Sequence, residues 1–580
     1  MKKELFSKKA TAAALALGLI LPAAGVAEAQ ADEAGQNTPA SESAYPKPEL
    51  KPVREIARSL GIQVDWRPAD KSVTLTFGGQ NLVLFPAKGE ASFNGKQITY
   101  SQSGPAGFRN GQTWMSESWV REVFGLKADM ETGNSGSAGN TGGSADGKED
   151  AAAAKIADRF MSLLSAGSGQ EAYQLASPAL QQAITPEQLQ SLWSNYERIY
   201  GKAGAVTLKS QTANAVHQNV VYRVQAAAAP FTLTIRLNPA GQVDDLYLAT
   251  ETPDTYQKAP YDDASSYSEQ EVTIGSGEYA LPGVLTLPAG GSSEGPYPAV
   301  VLVHGSGPQD LDSSAYGAKP FRDLAAGLAA QGIATVRYDK VTYEHTFKIA
   351  AKPNFTLRNE SVDDALKAVQ LLTTVPEIDT SRIYVAGHSQ GGFAMPLIKA
   401  ADSASHQIAG TLLLSAPSSS FIDVAVLQQE ELKERIESLG QDTAPYEQQA
   451  AAWKQIAGLV NDPQYSVDHL PESFPVPPAY WWYEQRDYVP AELAKEQTGP
   501  MLILQGENDW QVPMSEFKGW QTALAGHRDV VFKSYPKVNH LLAETDTLST
   551  GNEYVLPSHV SKAIIQDIAN WIKEAKPDSQ

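Results

Sequence analysis

Over residues 270–575, short apolar runs alternate with longer stretches whose apolar residues recur every three or four positions. "GVLTLP", "AVVLVHG", "ATVRYD", "RIYVAGH", "GTLLLSAP" and "MLILQG" have no polar face, the pattern of strands covered on both sides. "FRDLAAGLAAQG" and "SVDDALKAVQLLTTV" carry helical spacing between them. Apolar strands separated by amphipathic helices predict a parallel α/β sheet. Such sheets bind ligands at the carboxyl ends of their strands, and the polar motifs of this region fall there. Residues 418–498 interrupt the alternation with glutamate- and glutamine-rich helical stretches and then "PVPPAYWWYEQRDYVP". This predicts a helical cap insertion. Trp481, Trp482 and Tyr483 either line an acyl pocket or pack the cap onto the body.

The period changes upstream. In residues 151–257, "AKIADRFMSLLSAG", "AYQLASPALQQAI" and "PEQLQSLWSNYERIYG" are helical, and "VVYRVQA", "FTLTIRLN" and "VDDLYLA" are strand-like. Helices followed by strands predict a small α+β domain. His217, just before those strands, reads as an exposed turn residue. Residues 129–150 are a Gly/Ser-rich linker, too polar to bury a core. Before it, residues 50–128 predict another small α+β domain. There "SVTLTF" and "NLVLF" alternate as strands, "FNGKQITY" is a hairpin around Asn94-Gly95, and "VREIARSLGI" and "WMSESWVREVFGL" are helices.

The first residues follow a different logic. Lys2, Lys3, Lys8 and Lys9 surround the start of an apolar stretch over residues 10–27, followed by "AEAQA". Ala27 and Ala29, or Ala29 and Ala31, fit an A-x-A cleavage site, so residues 1–31 read as a signal peptide. No later segment has the roughly 18 uninterrupted apolar residues that span a bilayer. The mature protein is therefore expected to be secreted or at the cell surface, with no membrane partner.

Composition narrows the chemistry. The 580-residue chain has a formal charge of −20, which argues against a nucleic-acid partner. It contains no cysteine, excluding disulfides, thiolate metal sites, a cysteine nucleophile and a lipidated N-terminal cysteine. What remains is oxygen and imidazole chemistry.

"VAGHSQGGFAMPL" supplies it. Ser389, between Gly387 and Gly391, follows the strand "RIYVAG" and precedes a helix-forming segment, the context of a nucleophile elbow. A serine hydroxyl needs a histidine to take its proton and an acid to orient that histidine. In this topology the order is serine, acid, histidine. Asp509 in "ENDWQVP" follows the strand "MLILQG", with Glu507 as its solvated rival. His540 in "KVNHLL" follows the strand "DVVFKSYP". Of nine histidines, His540 alone fits both order and place. His527 lies at the wrong strand end, His559 near the last helix, and His388 on the elbow itself. Backbone N–H groups of Gln390 and Ser306 are the expected oxyanion donors. Ser306 lies in "VVLVHGSGPQD", where Gly305 and Gly307 allow a tight turn and no P-loop lysine is present. Asp339, ending "ATVRYD", contributes either pocket polarity or a structural hydrogen bond.

"HGSGPQD", "ATVRYDK", "GHSQGG", "QGENDWQVP" and "VNHLL" together resemble the α/β-hydrolase superfamily over residues 270–575. The nearest branch is bacterial esterases and serine-aminopeptidase-like hydrolases with an HGSGP motif. The resemblance implies an α/β-hydrolase fold, a Ser-His-Asp triad and a small-molecule ester or acyl substrate, with no cofactor and no metal. Leu311 and Val341 stand where that branch often has arginine, which bears on substrate preference. "DWRPADKSVTL", "FNGK" and "NGQTWMSESWVREVFGL" resemble the copper amine oxidase N-terminal-like domain, an accessory without copper ligands or cofactor tyrosine. Residues 151–257 look like the small domain of unknown function that precedes many exported hydrolases. These two accessory domains are read as cell-wall association or spacer modules. The expectation is a secreted serine carboxylesterase. Its alternatives are an aminopeptidase or acyltransferase with the same triad, or a surface binding protein with a vestigial hydrolase fold.

Overall fold

The computed structural model describes eight short strands within residues 50–116, and then residues 146–252, 255–290 and 295–575. The signal segment, the helix expected in "VREIARSLGI" and residues 129–145 of the linker lie outside the described residues. The chain divides into two compact units, Ala27–Gly142 and the part from Gly143 onward.

In the first unit, β2 (Gln63–Arg67), β3 (Ser72–Phe77), β4 (Gln80–Phe85), β5 (Glu90–Phe93) and β6 (Lys96–Ile98) form an antiparallel meander in sequence order. Val73 pairs with Leu84 and Leu75 with Leu82 in the register, and Val73, Leu75 and Leu82 are buried. A second sheet has the order β1 (Leu50–Pro52), β8 (Gln112–Ser116), β7 (Ala106–Arg109). Trp114, Met115 and Ser116 belong to β8, so the helix expected to begin there does not include them.

The second unit opens with the helix Asp146–Ser165, so the last five residues of the expected linker are helical. Acidic Asp146, Glu149 and Asp150 at its start, followed by four alanines, favour that conformation. The helices Gly169–Tyr173, Pro178–Ala183 and Pro186–Tyr200 follow. Ser177 and Thr185 cap the last two, each before a proline at the first helical position. They pack on the antiparallel sheet β9 (Ala203–Ala213), β10 (Gln218–Ala226), β11 (Phe231–Leu237) and β12 (Val243–Thr250). Phe160, Leu189, Phe231 and Ile235 centre this core.

The large sheet comprises β13 (Tyr267–Ile274), β14 (Leu281–Pro288), β15 (Tyr297–Val303), β16 (Ala334–Tyr338), β17 (Ile378–His388), β18 (Gly410–Leu414), β19 (Met501–Gly506) and β20 (Val530–Tyr535). Its order is 13-14-16-15-17-18-19-20, parallel from β16 to β20 and antiparallel in its first two strands. Alternate residues feed separate cores: Val301, Val303 and Leu413 on one face, Val300, Leu302 and Leu412 on the other. The helices Phe421–Ser438, Ala444–Val460, Ala479–Glu484 and Pro490–Ala494 lie between β18 and β19 as the cap.

The α+β domain interlocks with the hydrolase sheet through residues 341–350. Phe347 enters the α+β core. Asp245 accepts hydrogen bonds from the Phe347 and Lys348 backbone N–H groups at 2.9 and 3.1 Å. His217 is buried, contrary to the expected exposed turn. Its ring lies 3.0 Å from Asp244 and 2.6 Å from Glu344. Arg236 pairs with Glu344 at 3.3 Å and lies over the Tyr343 ring. Burial alone would favour a neutral His217 ring, but the two carboxylates outweigh it and raise its pKa above the ordinary value.

Candidate active site

β17 ends at a strained turn. Ser389 has φ 54° and ψ −118°, a conformation costly for a non-glycine residue. A Cβ on Gly387 would lie 2.3 Å from the Gly391 backbone, and one on Gly391 would lie 2.3 Å from the Val303 carbonyl oxygen. Both glycines are thus required by close approach. The Ser389 N–H donates to the Leu414 carbonyl at 2.9 Å, tying the turn to β18. The Gln390–Phe393 helix then leads away from it.

Asp509 lies in the loop after β19 and is fully enclosed. Its Oδ1 accepts from the Gln511 and Val512 N–H groups at 2.8 and 3.0 Å, and its Oδ2 lies 2.8 Å from His540 Nδ1. Burial would raise the carboxyl pKa, but His540 and these donors outweigh it and hold it below the usual value. Glu507, the rival acid, is exposed and accepts from Ser534 at 2.7 Å. His540 follows β20. Its carbonyl accepts from His388 Nε2 at 2.8 Å, and the two rings pack with centroids 4.7 Å apart. Burial and the neighbouring His540 push His388 down to about 3, so its ring is neutral. His388, set aside as the base because it stands on the elbow itself, packs against His540 and holds its carbonyl.

After β15, the loop His304–Asp310 turns at Gly307, φ 82°. His304 Nε2 lies 3.0 Å from the Asp310 carbonyl, and Gln309 Nε2 donates to the Ser306 carbonyl at 3.2 Å. Asp339 accepts from the Leu311 N–H at 2.7 Å, holding this loop from below. Burial, with Glu344 and Asp310 nearby, pushes the Asp339 pKa well up. Among the described residues, no hydrogen-bond acceptor faces the backbone N–H of Ser306 or of Gln390. Two orphan donors beside a cleft suit a developing oxyanion.

That cleft holds about 290 Å³, open mouth included, with Ser389 and Ser306 among its lining residues. One wall is the cap helix Phe421–Ser438, which contributes Phe421, Val424, Ala425 and Gln428 at helical spacing. Pro417, Gln511 and Val512 complete it. Arg435 on the same helix donates to the Asn508, Asp509 and Ser549 carbonyls at 2.9–3.1 Å, fastening the cap to the acid loop.

Of the two readings open for Trp481, Trp482 and Tyr483, packing is the one observed, and none of them lines the cleft. Trp481 packs edge-on against Phe421, Trp482 against Trp453, and the Tyr483 hydroxyl donates to the Leu459 carbonyl at 2.6 Å. These three partners belong to the insertion itself, so the contacts knit the cap together, while Trp481 Nε1 reaches Glu360 of the body. Asp339 likewise takes its structural alternative.

A buried group missed in the sequence is Lys340. Its ammonium donates to the Gly305 carbonyl at 2.7 Å and to Gln390 Oε1 at 2.9 Å, and pairs with Glu360 at 2.7 Å. Glu360 also accepts from Trp481 Nε1 at 2.8 Å. Burial lowers the Lys340 pKa, and Glu360 opposes that shift. A separate cluster brings His217, Asp244 and His345 ligand atoms within 4.8 Å of one another. Asp244 there already holds the Lys348 ammonium, so the cluster is an ion-pair network rather than a vacant metal cage.

The sheet order, the elbow and the loops above it define a class: a carboxylesterase-like serine hydrolase of the α/β type. Residues 300–547 match the Alpha/beta hydrolase family, and residues 49–135 match the Copper amine oxidase N-terminal domain. The chain is similar to Esterase EstD of Thermotoga maritima, 28% identical over 421 residues covering 71% of this chain and 93% of that protein. That stretch is longer than the hydrolase domain, so it reaches into the α+β domain. Among solved structures, Est1E from Butyrivibrio proteoclasticus is 16% identical, covering 52% of this chain and 98% of its own, with a TM-score of 0.34. Pyrococcus horikoshii acylaminoacyl peptidase is 13% identical, covering 64% and 57%, with a TM-score of 0.37.

Proposed function

We propose that Ser389, His540 and Asp509 are the catalytic triad of an exported carboxylesterase acting on neutral esters with small acyl groups. The observation that carries this reading is the His540–Asp509 contact at 2.8 Å, held beside the elbow by His388. With Nδ1–H donated to Asp509, Nε2 is left with the lone pair a general base needs. Ser389 Oγ forms a bond to the ester carbonyl carbon while its proton passes to His540. The C–O bond to the alcohol then breaks as His540 returns the proton to the leaving oxygen. Water repeats the sequence on the acyl-enzyme and frees Ser389. The Ser306 and Gln390 N–H groups stabilise the oxyanion of both steps.

The cleft supports an ester over a peptide substrate. None of its lining side chains carries a charge, whereas an aminopeptidase holds its substrate's free amine on a carboxylate. Export rests on the basic and apolar start of the chain, and the copper amine oxidase N-terminal-like domain is proposed to associate with the cell surface. No helix among the described residues is long and apolar enough to cross a membrane.

The test is hydrolysis of p-nitrophenyl acetate, butyrate and octanoate and of aminoacyl p-nitroanilides, with Ser389→Ala alongside. Ester turnover that is fastest on short chains and lost in the variant is expected. Anilide turnover lost in the variant would replace the reading with a peptidase. Ester turnover surviving in Ser389→Ala would remove the nucleophile.

A further inference from the structure

We infer that Lys340 is a positioning residue that orients and polarises both oxyanion donors from behind. The inference rests on the triad reading above and adds a group that touches no substrate.

The geometry is specific. A peptide unit is planar and trans, so its C=O and N–H point in opposite directions. The Gly305 carbonyl and the Ser306 N–H belong to one such unit. Lys340 donates to that carbonyl at 2.7 Å, so the Ser306 N–H is directed away from the ammonium and onto the cleft side. A cationic donor on the carbonyl draws electron density through the amide and makes its N–H a stronger donor. The same ammonium grips Gln390 through its side-chain Oε1 at 2.9 Å, and the Gln390 backbone N–H is the other donor. One buried charge thus joins the loop after β15 to the helix after the elbow.

Two neighbours hold Lys340 in place. Glu360 pairs with it at 2.7 Å and is itself held by Trp481 Nε1 at 2.8 Å. The Lys340 N–H donates to the Gln309 carbonyl at 3.0 Å, fixing the start of the side chain to the loop it supports. A lysine serving only stability would not need both ends of an oxyanion hole. An ion pair with Glu360 alone would suffice.

The experiment compares wild type, Lys340→Met, Lys340→Arg and the double variant Lys340→Met/Glu360→Gln, which leaves no unpaired buried carboxylate. Active sites are counted by stoichiometric titration with diethyl p-nitrophenyl phosphate, so every rate refers to folded, competent enzyme. On p-nitrophenyl acetate, both methionine variants should lose about ten- to a hundredfold in kcat with KM within about twofold, a fraction of what removing a whole oxyanion donor costs. Affinity for an aryl trifluoromethyl ketone, whose serine adduct carries the oxyanion, should fall in proportion to kcat/KM. Affinity for the matching methyl ketone, which carries none, should not change. Arginine should restore part of both quantities. The inference is overturned if the double variant regains wild-type kcat, since Lys340 would then only neutralise Glu360. It is also overturned if both ketones weaken equally, the mark of a purely structural role. Should wild-type turnover survive Ser389→Ala, the triad reading itself fails, a separate result.

Discussion

His388 Nε2 donates to the backbone carbonyl of His540 at 2.8 Å, with the two rings tilted at 46° and their centroids 4.7 Å apart. His388 thus holds the backbone of His540, while the His540 ring is left to pair with Asp509 through Nδ1. His388→Ala removes a buried donor and leaves that carbonyl unpaired, a loss of about 1–3 kcal/mol in unfolding free energy. It should also lower kcat on p-nitrophenyl acetate about tenfold by loosening His540. Because the His388 pKa is pushed down to about 3 by burial and by His540, it stays neutral through the working range. The shape of the kcat–pH profile should therefore be the same in the variant; a shifted limb would mean that His388 titrates during turnover.

The clamp around His217 sets a pH window for stability. Its folded pKa lies above the ordinary 6.5 because two carboxylates outweigh burial. Its stabilisation is then complete below about 6.5 and is lost as pH rises through the folded value. Glu344 titrates oppositely. Burial is outweighed by Arg236 and His217, which hold it down to about 2, so its contribution is present above its ordinary 4.5 and lost as pH falls toward 2. The clamp is strongest between these limits. The difference in Tm between wild type and His217→Gln should be greatest near pH 5–6 and shrink at pH 9. A difference that grows with pH would refute the charge assignment.

Val424 lines the cleft from the cap helix, and on the proposed esterase reading it is the wall expected to meet the acyl group. Val424→Ala removes two methyl groups and should raise the kcat/KM ratio of p-nitrophenyl butyrate to acetate about tenfold, since a methylene in an apolar pocket is worth about 1–3 kcal/mol. An unchanged ratio would place the acyl group against another wall.

Arg435 ties the cap helix to three carbonyls around the acid loop. Arg435→Ala strands those acceptors and should lower Tm by several degrees and kcat severalfold. Arg435→Lys should recover little, because one ammonium cannot reproduce a planar fork of donors. Full recovery by lysine would show that charge alone matters there.

The parallel strands β15 to β19 were legible because both faces are apolar, and the motifs with Ser389 and Asp509 follow the carboxyl ends of β17 and β19 as expected. β13 was not legible: "YSEQEVTI" lies at the sheet edge and is mostly exposed, so it carries no apolar run. His217 was misread because its burial comes from Glu344, 127 positions away. Lys340 entered only as the last residue of the motif "ATVRYDK" and was given no role, since a lysine after a strand ordinarily faces water and its partners come from three separate segments. The cap aromatics left pocket and packing equally open, and only tertiary neighbours distinguish them. The cleft wall came instead from the helix Phe421–Ser438, whose face toward Ser389 is mild in hydrophobicity and unremarked in the sequence.

Phe347 sits in a socket made by the α+β domain, and the ion pairs around it close over Glu344 and Lys348. The boundary of the working enzyme is therefore not the start of its large sheet. A recombinant chain beginning near residue 260 would uncover a phenylalanine and strand two buried charges a few residues from Lys340. Gene shuffling faces the same constraint: the α+β domain and the large sheet must be inherited as a pair.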